Sequence, residues 1–139
     1  MDAATTEMPT DRRLGRGWTW LTTVTMWVIF LQSVTAGRML AGDDWARTTH
    51  RATAGLVTLV VLAAGLGALA VLRDRTGGRR LALVLIVLAS CLIVQYRLGA
   101  AAAGGRDVLW LHVPVGVALF GFSLRANMLA RRLASGASR

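Results

Sequence analysis

The stretch His50–Leu72, HRATAGLVTLVVLAAGLGALAVL, carries a single charged residue, Arg51, in 23 positions and decides the fold. A helix rises about 1.5 Å per residue, so such a run covers the roughly 30 Å of hydrocarbon in a bilayer. Trp18–Leu40, Leu81–Leu98 and Val108–Leu129 are similarly long and apolar. The chain has 139 residues, of which 55% are hydrophobic, and a positive mean hydropathy, which is too much apolar sequence for a soluble domain. Inside hydrocarbon the backbone must satisfy its own hydrogen bonds, and this selects helices. The sequence predicts an all-α, integral membrane four-helix bundle.

A polar pattern is written twice over these runs. Gln32, Gly37, Asp44 and His50 recur as Gln95, Gly99, Asp107 and His112, at offsets of 63, 62, 63 and 62 residues. Each half holds two spans, so both halves run the same way through the membrane, and the bundle is expected to be two parallel two-helix repeats about a pseudo-two-fold axis. His50 and His112, the two histidines of the chain, are each expected about one turn inside the start of an apolar helix, at matching depth. Asp44 and Asp107 are placed to act as N-caps or first-turn acids.

All sixteen basic residues are arginine, and the formal net charge is +9. Eleven of them fall in the N-terminal segment, the second connection and the C-terminal segment, and five (Arg38, Arg47, Arg51, Arg97, Arg106) in or near the first and third connections. Positive charge collects on the cytoplasmic face, so both termini are expected inside. The arginines are explained by topology and anionic lipid, and with no recognised binding motif beside them no nucleic-acid partner is expected. Residues 1–16 and 131–139 are expected to form cytoplasmic tails around a transmembrane domain at 17–130. The first apolar run exceeds an ordinary signal-peptide core and contains repeat members Gln32 and Gly37, which favours its retention.

An ionisable group within a span is costly, and a matched pair is a stronger functional signal than either residue alone. Two neutral imidazoles facing one another can supply both axial ligands of a haem iron. Cys91 is the only cysteine, so there is no CxxCH attachment, and the cofactor expected is a non-covalent haem b. Arg38, Arg51 and Arg97 suit pairing with its propionates. Gln32 and Gln95 can hydrogen-bond near the cofactor or between helices, and Gly116, four residues beyond His112, leaves space on the ligand face. Iron held by two histidines has no open position, which favours one-electron transfer over oxygen activation. Candidate partners, beyond the lipid bilayer, are a quinone or a membrane oxidoreductase, and the small-residue helix faces allow a homodimer. The competing reading is a membrane subunit or assembly factor without haem, in which the repeated polar groups tie helices together.

Thr49-His50-Arg51 followed by Gly55, with Leu111-His112 at the start of the fourth span, resembles one four-helix half of the haem A synthase family. The chain is also similar to small uncharacterised four-helix bacterial membrane proteins with repeated Gln and His motifs. The resemblance spans residues 18–130 and implies a histidine-ligated haem in a bacterial cell membrane. Arg47 stands where that family carries a functional glutamate, so the resemblance implies haem binding and redox support rather than haem A synthesis.

Overall fold

The computed structural model describes residues 9–75 and 77–136. It consists of four helices, α1 (Pro9–Leu40), α2 (Asp44–Leu72), α3 (Gly78–Ala103) and α4 (Leu109–Ala134). All four are long and apolar enough to cross a membrane. Their outward faces carry large apolar side chains such as Trp20, Trp27, Leu56, Leu59, Leu83, Val94 and Val117, as contact with lipid requires.

Helix ends lie further out than apolar content alone suggests. α1 opens on Pro9 rather than near Trp18, so residues 9–16 are helical where a tail is expected. A proline is tolerated at a first helical position because its missing amide hydrogen has no partner there. Further along, Gly15 packs so closely on α4 that a Cβ would fall 2.6 Å from Ala134 Cα. α4 likewise runs to Ala134, past the expected boundary at 130, while residues 1–8 and 137–139 lie outside the described residues. α2 starts at Asp44, which places His50 almost two turns in, whereas His112 is one turn into α4. Asp43 occupies the N-cap of α2 and Asp44 is the acid of its first turn, whereas Asp107 is neither at α4, whose N-cap is Val108.

The helices pack in a ring in chain order, each against its two neighbours, and the diagonal pairs α1/α3 and α2/α4 make no comparable contact. The duplication extends into the core. Thr22, Thr25 and Ile29 of α1 are buried, and so are Leu85, Leu88 and Leu92 of α3, each 63 positions on. Val57, Val61, Ala64 and Ala68 of α2 are matched by buried Leu119, Ser123, Ala126 and Ala130 of α4, each 62 positions on. The tightest approaches repeat too. Gly15 on Ala134 has its counterpart in Gly78, where a Cβ would overlap the Leu72 carbonyl. Gly42 and Gly105, 63 residues apart, turn the first and third connections with φ of +98° and +84°, a region that L side chains rarely adopt.

This buried core occupies the half of the bundle nearer the second connection and the ends of the chain. Beyond Ile29, Val57, Leu92 and Leu119, toward the other end, Ala46 is the one apolar residue that is buried among those described. The polar repeat lies in that less filled end.

Candidate functional site

His50 on α2 and His112 on α4 meet across the diagonal of the ring, with imidazole centroids 6.5 Å apart and planes inclined by 66°. The backbones of these two helices make no close approach, so the imidazole pair spans the gap between them. Both rings are partly buried.

Thr35 of α1 holds His50, with Oγ1 and Nδ1 3.0 Å apart. The Thr35 hydroxyl also lies 3.1 Å from the Gln32 carbonyl, to which it can donate its one hydrogen. With that hydrogen given to the carbonyl, the hydroxyl oxygen can accept from Nδ1–H, the tautomer that leaves Nε2 of His50 with its lone pair. Threonine at that place was not a sequence candidate. It lies three residues after Gln32, on the same helix face.

No hydroxyl exists at the corresponding place in the second repeat, where Arg97 and Leu98 stand, and His112 Nδ1 is buried without a hydrogen-bond partner. His112 is positioned by the Gln95 backbone and by shape. Its ring rests against the bare backbone of Gly99, where a Cβ would come within 3.0 Å of Cε1.

The two glutamines do equivalent work by different routes. Gln32 Nε2 donates to Thr53 Oγ1 at 2.6 Å, and that hydroxyl reaches the Thr49 carbonyl at 2.6 Å. Gln95 Nε2 donates directly to the His112 carbonyl at 2.7 Å. Gly116 makes the second route possible, since a Cβ there would lie 3.1 Å from Gln95 Nε2. Gly116 is thus filled by a glutamine amide, where the sequence suggested free space beside a macrocycle. Oε1 of both glutamines is buried without a partner.

Of the arginines expected at the site, Arg38 is taken by Asp43, with Nε 2.6 Å from Oδ2. Arg51 and Arg97 are exposed at the same end of the bundle and form no ion pair among the described residues. Trp45 and Trp110 are 58% and 69% exposed, and so face outward as interface anchors. Cys91 packs against the core as a small apolar residue.

No group of three or more His, Cys, Asp or Glu side chains comes together among the described residues. A tetrahedral zinc site needs three or four protein ligands, so the imidazole pair does not make one. Two imidazoles do suffice for a metal whose remaining ligands come from a macrocycle. Their separation suits it, because two metal–nitrogen bonds of about 2 Å each, plus the distance from each nitrogen to its ring centre, come to roughly 6 Å. The unpartnered His112 Nδ1, the glycine cradle and the absence of large buried apolar side chains among the described residues at this end fit such a group. Compared with known protein families, characterised proteins and solved structures, the chain matches none significantly.

Proposed function

We propose that the protein is a membrane b-type cytochrome, in which His50 and His112 are the axial ligands of one haem and pass single electrons. The observation that carries this reading is the imidazole pair, 6.5 Å apart, on two helices whose backbones make no close approach. Bound there, haem would supply a one-electron Fe(III)/Fe(II) couple. The chain orients the ligands through Thr35 on one side and Gly99 on the other. Arg51 and Arg97 are the exposed cations available to the propionates, while Arg38 is committed to Asp43. The donor and acceptor in this reading are a quinone or a membrane oxidoreductase. The arginine distribution supports a bacterial cell-membrane protein with both termini in the cytoplasm.

The test is the absorption spectrum of detergent-purified protein, oxidised and dithionite-reduced, for the wild type and for His50→Ala and His112→Ala. A six-coordinate b-type spectrum in the wild type that is lost in each variant is expected. A haem-free protein after expression with ample haem, or a spectrum indifferent to both substitutions, defeats the proposal.

A further inference from the structure

At the arginine-rich end the two repeats differ. Gly65 of α2 packs on Leu85 and Ile86 of α3, and a Cβ there would approach Ile86 Cγ1 to 2.9 Å. The equivalent place between α4 and α1 holds Asn127, buried against Thr22 and Thr23, the counterparts of Leu85 and Ile86. Asn127 Nδ2 donates to the Thr22 hydroxyl at 3.1 Å and the Thr23 hydroxyl at 2.7 Å. Those hydroxyls spend their own hydrogens on the Trp18 and Thr19 carbonyls, at 2.8 and 2.7 Å. The amide is thereby fixed with its oxygen turned to Arg131, whose Nε donates to Oδ1 at 2.8 Å.

This arrangement holds an exposed guanidinium by its Nε and leaves its two terminal nitrogens free of that bond. Beside it lies an open groove of about 380 Å³ between α1 and α4, lined by Arg16, Thr19, Trp20, Arg131, Ala134 and Ser135. Among the described residues no acidic side chain lines it, and the Thr19 and Ser135 hydroxyls are turned to the Gly15 and Arg132 carbonyls. Two guanidiniums and an indole therefore face a groove at the membrane-surface end of the bundle. A tetrahedral oxyanion accepts from such a set, and an acyl-chain body would continue along the apolar outer face at Trp20 and Val24.

We infer that this groove binds the phosphate of an anionic phospholipid, with Arg131, preset by Asn127, and Arg16 as the two cations. The sequence shows arginines scattered at this end; the buried asparagine is what turns one of them into part of a site.

The test is native mass spectrometry of the full-length protein in a neutral detergent, titrated with phosphatidylglycerol or phosphatidylcholine. The phosphatidylglycerol adduct is expected to weaken by about tenfold or more in Arg16→Gln, which loses a charge-assisted contact, and measurably in Asn127→Leu, which keeps the Arg131 charge but releases the side chain from its holder. Arg79→Gln/Arg80→Gln, which removes two charges from the same end, is expected to change it by less than about twofold by the same reasoning. Equal weakening in that control means diffuse attraction and overturns the site. Equal binding of phosphatidylcholine, or displacement of the lipid by inorganic phosphate in modest excess, overturns the anionic-lipid assignment. Arg16 forms no hydrogen bond or ion pair with the rest of the described chain, so its substitution tests binding without disturbing the fold.

Discussion

Gly99 of α3 is in contact with the imidazole of His112 on α4, and a side chain at position 99 would press on Cε1 from 3.0 Å. Its repeat counterpart Gly37 has open space around it. In the proposed cytochrome, Gly99→Val is therefore expected to push the imidazole aside and give a five-coordinate haem spectrum or none. Gly37→Val is expected to leave the spectrum as in the wild type. Equal effects of the two substitutions would contradict the asymmetric support of the two ligands.

His50 depends on Thr35 as His112 depends on Gly99. Thr35→Val keeps the shape and removes the oxygen 3.0 Å from Nδ1, whereas Thr35→Ser keeps it. Partners that orient a ligand imidazole are worth about 10- to 100-fold in metal affinity, so Thr35→Val is expected to weaken haem binding by about tenfold and Thr35→Ser by much less. Haem titration of the apoprotein, with the low-spin signature read alongside, measures both. Identical affinity for valine and serine at this position would show that the hydroxyl has no part in holding the ligand.

The number of helices, their order and the duplicated register were legible in the sequence because a bilayer demands long apolar runs and because Gln, Gly, Asp and His repeat at nearly constant offsets. The ends were less legible. α1 continues two turns beyond its apolar run, since arginine is a good helix former and Gly15 docks on Ala134 outside the most apolar zone. Thr35 escaped notice because its meaning depends on the rotation of α1 against α2, which spacing along one helix does not report. Gly116 was placed correctly beside His112 along the chain, but the depth to which Gln95 reaches decides what fills it. Asn127 was invisible for a different reason. A search for duplicated residues passes over the positions where the copies diverge, and Asn127 stands opposite Gly65.

Orientation in the membrane can be read chemically through single cysteines, since Cys91 lies within α3 and can be replaced by alanine. In that background, Asp107→Cys is expected to react with a membrane-impermeant maleimide on intact cells. Arg79→Cys, at the opposite end of α3, is expected to react only after lysis, because arginine-rich connections stay on the cytoplasmic side. The reverse labelling pattern would invert the topology while leaving the bundle intact.

The pseudo-two-fold packing makes a prediction about stability that is independent of any cofactor. Gly65 lies against main-chain atoms, with Ile86 N 3.0 Å and the Leu85 carbonyl carbon 3.3 Å from a Cβ, so the neighbour cannot rotate away as a side chain would. Gly65→Ala is expected to destabilise the bundle by about 1–3 kcal/mol, as overpacking of a close helix contact does. Gly121→Ala, where a Cβ meets nothing within 4 Å, is expected to be neutral or to stabilise by up to about 1 kcal/mol through helix propensity. Gly15 approaches the Ala134 backbone as closely as Gly65 approaches Ile86, so Gly15→Ala should behave like Gly65→Ala and unlike Gly121→Ala. Unfolding of the three variants in mixed micelles by a denaturing detergent separates these cases. If Gly15→Ala and Gly65→Ala prove as stable as Gly121→Ala, close backbone contact is not what holds α1 to α4 and α2 to α3.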